Sequence, residues 1–331
     1  MRPFFKQILK FLAFFVVTLF LFWLIYRDQD PGTLMKVLRE DVNYTWIWVA
    51  IVLGILSHVS RAMRWQQLAQ SMGYRISLPN SFMGVMIGYF ANMAIPRMGE
   101  FTRCGVVSKY EDVPFSKLLG TVVVERVFDM IVLLLLTLVV IVSQFKQVTL
   151  FLRENEAIQE NVSHFLSSAW AWVAVAGAVL LLLLLVWVYR KKKLSGRVHH
   201  FLSGLKEGFL TVRQVENKTL FIGHTLFIWA MYFLMLYACF FCFDFTSGLG
   251  VVVGLTVFVL SSYGMVAPVQ GGIGAWHFMV IAALMLYLPR TEAIESMAKT
   301  FALLTHGTMT LLYIVLGALC LLFLPVYNRN R

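Results

Sequence analysis

Long apolar segments dominate the sequence, and polar residues interrupt them at intervals. The apolar segments lie at 8–26, 44–63, 81–95, 118–143, 168–189, 220–243, 249–267, 273–288 and 300–324. A helix needs about 20 mostly apolar residues to cross the hydrocarbon core of a bilayer. Membrane β-barrels instead show alternation over about ten residues, which is absent here. The pattern therefore predicts an all-α polytopic integral membrane protein.

Two of the interruptions share a short motif. The segments Met93–Gly99 and Met265–Gly271 both read M-x-x-P-x-x-G. Proline removes a backbone donor, and inside a bilayer such a break needs protein or a water-filled cavity to satisfy the freed groups. Broken helices in two halves of a membrane protein indicate a transport site. The alternative is a chance match among many apolar residues.

The charge distribution predicts the topology. The chain is 60% hydrophobic and 14% charged, with a formal net charge of +11. Basic residues crowd short loops, as the positive-inside rule requires, so the charge indicates membrane orientation and no nucleic acid is expected as a partner. The N-terminal ten residues, the 190–219 loop with eight lysines and arginines, and the C-terminus all fit the cytoplasmic side. The 27–43 and 144–167 loops fit the outside.

These assignments agree only if 81–95 enters from the cytoplasm, breaks at Pro96 and returns. The predicted full spans are 8–26, 44–63, 118–143, 168–189, 220–243 and 300–324, with broken re-entrant regions at 79–105 and 249–289. This is one transmembrane domain, 1–331, in which the two breaks form an inverted pair whose tips approach each other near mid-membrane. The segments 249–267 and 273–288 are also compatible with two complete spans.

Charged residues inside an apolar segment carry the first candidate chemistry. Glu125, Arg126 and Asp129 lie within 118–143, and the two acids share one helix face at i, i+4 spacing. Ionisable groups in a membrane are costly and mark functional paths. One interpretation is that these residues line a polar path, balancing a cationic group or shuttling a proton. The other is a structural ion-pair network.

A second group follows the first break. Arg97, Glu100 and Arg103 alternate in sign along a helix start, and Asn92 comes just before the break. Two arginines and the first backbone amides of a helix suit a lipid phosphate. The alternative is an interfacial helix with solvated charges.

A third group, Arg61 and Arg64, lies at the end of 44–63 at i, i+3 spacing. Binding of a headgroup phosphate is one interpretation of these arginines. Routine anchoring of a helix end at the membrane interface is an equally good one.

Glycines mark the second break. Gly271 and Gly272 permit close backbone approach. Their backbone amides, together with Arg97, are candidates to hold a phosphate. His277 lies at the start of the next helix. The sequence contains no nucleophile elbow, no H-E-x-x-H zinc motif and no nucleotide fingerprint. We therefore expect no enzyme activity, no metal and no cofactor.

The quoted residues resemble the flippase-like membrane family related to the transmembrane region of lysylphosphatidylglycerol synthases. The resemblance covers roughly residues 10–325 and rests on Arg61 to Trp65, Asn92 to Arg103, Glu125 to Asp129, and Pro268 with Gly271 to Gly274. The family usually has a glutamate shortly after the last glycines, where this chain has His277. The resemblance implies translocation of a phospholipid or polyprenyl-linked lipid across the cytoplasmic membrane.

The alternative is a membrane subunit or enzyme of lipid-linked sugar or aminoacyl-lipid synthesis. A homodimer or a transferase partner is compatible with either function.

Overall fold

The computed structural model describes residues 15–145, 196–267 and 269–329. Within these ranges the chain is helical and contains no strand, which confirms the all-α prediction. The predicted span 168–189, the start of 8–26, and Pro268 of the second motif lie outside the described residues.

The helices lie in chain order and are separated by short loops within the described ranges. They are α1 (Phe15–Tyr26), α2 (Pro31–Glu40), α3 (Thr45–Gln70), α4 (Leu78–Ala94), α5 (Gly99–Tyr110), α6 (Phe115–Ser143), α7 (Gly196–Gln214), α8 (Lys218–Phe240), α9 (Asp244–Ser247), α10 (Val251–Gly264), α11 (Ala275–Leu284) and α12 (Glu292–Tyr327), with a 3₁₀ turn at Gln270–Gly272.

In the described part of the chain, α3, α6, α8 and α12 are long and apolar enough to cross a membrane. They correspond to the predicted spans at 44–63, 118–143, 220–243 and 300–324. α12 begins earlier than predicted, at Glu292, because Thr291 caps it by accepting from the Ile294 amide at 3.3 Å. The total number of spans and the side of each loop stay predictions.

The first break folds into a helical hairpin. α4 ends at Ala94, α5 begins at Gly99, and the residues between them are not helical. A Cβ atom on Gly99 would collide with the Gly88 carbonyl, so the two helices approach each other to backbone contact. The Asn92 side chain closes the turn by accepting from the Gly99 amide at 2.7 Å.

The second break has the same form. α10 ends at Gly264, and a Cβ atom there would lie 2.8 Å from the Trp276 Cα in the returning helix α11. Gly271 and Gly272 occupy the left-handed region between these helices, at φ 57° and 80°, which glycine adopts at little cost. Each predicted break therefore lies at the tip of a hairpin, and whether either hairpin is re-entrant stays a prediction.

Packing between the helices positions the candidate site. α3 runs along α8, and α4 packs against both α5 and α12. One buried apolar cluster, which includes Trp65, Met86 and Val107, joins α3, α4 and α5. The outward faces of α6 and α12 expose rows of large apolar side chains, as lipid-facing helices do.

Candidate functional site

A buried cluster of charged side chains joins α3, α5 and α6, and is called the arginine cluster below. Its members are Arg61 and Arg64 on α3, Arg103 on α5, and Glu125, Arg126 and Asp129 on α6. Three groups that are separate in the sequence thus meet at one place. Helical spacing explains the convergence, because each of the pairs Arg61 with Arg64 and Glu125 with Asp129 lies on a single helix face.

Arg64 lies at the centre of the arginine cluster. Its side chain is fully buried, with Nη2 3.4 Å from Glu125 Oε1 and Nη1 3.1 Å from Asp129 Oδ1. Arg103 pairs with the other carboxylate oxygen of Glu125. Glu125 is therefore held between guanidinium groups from two different helices.

Asp129 pairs with the arginines on the other side of the arginine cluster. Its Oδ2 lies 3.3 Å from Arg61 Nη1 and 3.2 Å from Arg126 Nη2. The Arg126 side chain is 46% exposed, whereas that of Asp129 is 11% exposed. The arginine cluster thus reaches the protein surface at Arg126 and is buried at Glu125.

Counted over the described residues, the formal charges of the arginine cluster do not balance. Four guanidinium groups face two carboxylates, and three of the guanidiniums, those of Arg61, Arg64 and Arg103, are almost fully buried. The Nε atoms of Arg64 and Arg103 are buried and have no hydrogen-bond partner among the described residues. Buried charge is costly unless it is paired, so this arrangement favours an additional anion.

Neutral side chains that the sequence analysis did not single out complete the surroundings of these arginines. Thr225 Oγ1 accepts from Arg64 Nη1 at 3.1 Å, and the Tyr232 hydroxyl accepts from Arg61 Nε at 3.2 Å. The Tyr89 hydroxyl lies 3.2 Å from that of Tyr232. Thr225 and Tyr232 are seven residues apart on α8 and so share a face, which is the signal in the sequence that could have identified them.

The two hairpin tips contact each other, as predicted. Arg97 donates a hydrogen bond to the Val266 carbonyl, and Gln270 Nε2 donates to the Ala94 carbonyl at 2.8 Å. Each tip therefore supplies one side chain to the main chain of the other. Arg97 itself is a non-glycine residue in the left-handed region, at φ 64°, a conformation that persists only where its surroundings hold it.

The remaining predicted residues hold the hairpins in shape. Asn92 satisfies the first amide of α5, and His277 Nδ1 accepts from the Gly274 amide at 3.1 Å at the start of α11. The Gly272 amide donates to the Val269 carbonyl at 3.4 Å, and the Gly271 carbonyl lies 3.0 Å from His306 Nε2. Binding of phosphate by Arg97 and the glycine amides stays a prediction.

Glu100 does not lie in the predicted charged stripe with Arg97 and Arg103. It lies in the first turn of α5, and no ion pair within 4 Å is found for it in the described part of the chain. Arg97 faces the second tip and Arg103 joins the arginine cluster, so the expected single stripe of Arg97, Glu100 and Arg103 is divided between two places.

Comparison with known proteins identifies the family. The family model described as the transmembrane region of lysylphosphatidylglycerol synthase matches residues 9–317, which is nearly the whole chain. The chain belongs to this family. Family membership and the apolar helices together establish a multi-pass membrane protein, in agreement with the resemblance found in the sequence.

Two curated relatives match shorter stretches. A UPF0104 membrane protein of Methanocaldococcus jannaschii is 37% identical over 111 residues, which is 33% of each chain. The glycosyltransferase AglD of Haloferax volcanii is 28% identical over 115 residues, which is 34% of this chain and 18% of the relative. The chain thus spans a third of the length of one relative and less than a fifth of the other. No solved structure matches.

Proposed function

We propose that this member of the lysylphosphatidylglycerol synthase transmembrane-region family moves a lipid with an anionic, phosphate-bearing headgroup between the leaflets of a membrane. The observation that carries the proposal is the excess of buried positive charge in the arginine cluster. Guanidinium groups bind phosphate oxygens through paired, charge-assisted hydrogen bonds. A phosphate at Arg61, Arg64 and Arg103 would bring the arginine cluster closer to neutrality.

Asp129 is the member of the arginine cluster that a phosphate would displace. It is the more exposed of the two acids, and its partners Arg61, Arg64 and Arg126 are three of the four guanidiniums. A headgroup arriving at Arg126 would compete with Asp129 for these donors, while the acyl chains stay in lipid along the apolar face of α6. The return of Asp129 to its partners would then release the phosphate.

The test is transbilayer movement of fluorescent phospholipids by the full chain reconstituted in liposomes. We expect Arg64→Ala to abolish movement of anionic lipids, because the central donor is lost. Arg39→Ala, on the exposed last turn of α2, is the matched control and should move lipids at the parent rate. Equal rates for a folded Arg64→Ala protein and the control would contradict the proposal.

Asp129→Asn examines the release step. We expect this variant to fold and bind anionic lipid but to lose movement, because the neutral amide no longer competes for the guanidiniums. Retention of labelled lipid through purification measures binding, and the liposome assay measures movement. A folded Asp129→Asn protein with the parent rate would remove Asp129 from the site.

A second candidate function is membrane-bound synthesis of a lipid-linked sugar. It is favoured by the similarity to a relative named as a glycosyltransferase, although that match covers only 18% of the relative. The same arginine cluster would then bind the phosphate of a polyprenyl-phosphate acceptor. Incubation of the purified chain with polyprenyl phosphate and labelled sugar nucleotides distinguishes the two, since only the second candidate yields a glycolipid product.

A further inference from the structure

A cavity of about 430 Å³ lies at the C-terminal end of α3 and the start of α8. Its polar wall contains Gln66, Gln67 and Gln70, which lie on adjacent turns of α3, together with Arg75 and His224. Three amide side chains converge here at the end of a helix that is otherwise apolar enough to cross a membrane.

Two residues of the cavity wall are close neighbours, along their helices, of the arginine cluster and its surroundings. Gln67 lies one turn beyond Arg64 on α3. On α8, His224 precedes Thr225, the residue whose hydroxyl accepts from Arg64 Nη1 at 3.1 Å. The His224 ring is held to α3 by a hydrogen bond of 2.8 Å between its Nδ1 and Ser60 Oγ. A headgroup whose phosphate occupies the arginine cluster would therefore extend its outer part toward this cavity.

The wall of the cavity has a definite chemical character. Among the described residues that line it there is no carboxylate, and Arg75 is the formally charged one. Gln66 donates to the Ile76 carbonyl at 2.7 Å, whereas the buried Gln67 Oε1 has no hydrogen-bond partner among the described residues. An amide both donates and accepts hydrogen bonds, as a hydroxyl does. A cationic amine would find no counter-charge here and would be repelled by Arg75.

We propose that this cavity binds the outer part of the transported headgroup. The substrate is then a phospholipid whose phosphate is esterified to a group with several hydroxyls, such as a polyol or a sugar. This inference rests on the proposed function and adds the substrate class. It disfavours headgroups that end in an ammonium group, including aminoacylated ones. Gln67 and Gln70 are the residues that select the hydroxyl groups.

The experiment compares lipids that share an anionic phosphate and differ beyond it. The full chain in liposomes is tested with labelled phosphatidylinositol, phosphatidic acid and lysylphosphatidylglycerol. We expect phosphatidylinositol to move about tenfold faster than either of the others, the ratio that one or two hydrogen bonds supply. In Gln67→Leu/Gln70→Leu the ratio of phosphatidylinositol to phosphatidic acid should fall close to one. The control Gln214→Leu, on the exposed end of α7, should keep the parent ratio.

A charge-introducing variant keeps the inference testable if the double variant does not fold. Gln67→Glu places a carboxylate in the cavity and should shift the preference toward lysylphosphatidylglycerol. An unchanged order of preference in folded Gln67→Glu would overturn the inference. Equal movement of phosphatidylinositol and phosphatidic acid by the parent protein would also overturn it while leaving the proposed function intact. Movement of no lipid at all would instead refute the proposed function.

Discussion

The two hairpins share a shape but not a chemistry. In each, a helix ends at a break, a glycine allows close backbone contact, and a side chain accepts from an amide at the start of the returning helix. The first hairpin contributes Arg103 to the arginine cluster. The second, over 249–289, contains no Asp, Glu, Lys or Arg. A helical hairpin with a broken tip can therefore form with or without charged residues. Of the two hairpins, the first supplies a charged side chain to the arginine cluster.

The largest effect should come from removing the acid that the first hairpin binds. In Glu125→Gln the buried guanidiniums of Arg64 and Arg103 lose their shared carboxylate, and breaking a buried ion pair costs about 3–5 kcal/mol. Unfolding of the purified protein in detergent measures the loss. Glu100→Gln is the matched control, and a similar loss in both variants would show that the buried pairs are not what stabilises this region.

The close glycine contacts should matter in both hairpins. Gly99→Ala would force the new methyl group into the Gly88 carbonyl, and Gly264→Ala would force it against Trp276. Overpacking of this kind costs about 1–3 kcal/mol. Gly105→Ala on α5 is the control, because its Cβ would meet nothing within 4 Å, and it should stabilise the helix slightly. A loss in only one hairpin would end the claim that they share a shape.

The caps of the returning helices should have smaller and similar effects. Asn92→Ala and His277→Ala each remove an acceptor for an amide, at 2.7 Å and 3.1 Å. Loss of a helix cap costs about 1 kcal/mol. The midpoint of denaturant unfolding measures each variant, and an effect several times larger for His277→Ala would show that the histidine does more than cap.

The least perturbing test concerns the tips. Cysteines at positions 95 and 269 lie beside the residues that join the tips, Ala94 with Gln270. We expect a short reagent to crosslink this pair in the folded protein, seen as a mobility shift after denaturation. Cysteines at 95 and 110 serve as the control, because Tyr110 lies at the far end of α5, about 16 Å along the helix axis from Gly99. Failure of the first pair to crosslink would contradict the contact between the hairpins.

The sequence predicted the helices and breaks well because both depend on local signals. Apolar length located α3, α6, α8 and α12, and the M-x-x-P-x-x-G motif located both tips. Helix periodicity also placed Glu125 and Asp129 on one face. Helix ends were less exact, because a cap such as Thr291 lies outside the apolar pattern.

The partners of the charged residues could not be predicted. Nothing local shows that Arg103 binds Glu125 whereas Arg97, six residues earlier, reaches Val266. These pairings follow from tertiary packing, in which α5 contacts α6 and the turn before α5 contacts the second hairpin. The roles of Asn92 and His277 as caps likewise depend on the turn that each hairpin makes, which the residue types alone do not specify.

The contact between the tips has a consequence for how easily the two hairpins separate. Two hydrogen bonds given in opposite directions, from Arg97 to Val266 and from Gln270 to Ala94, are the polar links between them among the described residues. Both acceptors are main-chain carbonyls, so these hydrogen bonds do not depend on the side chains of Val266 and Ala94. Two such bonds contribute about 1–3 kcal/mol in net terms. On these two bonds alone, a form with parted tips would hold roughly one molecule in six to one in 150 at rest, so thermal motion would separate the tips.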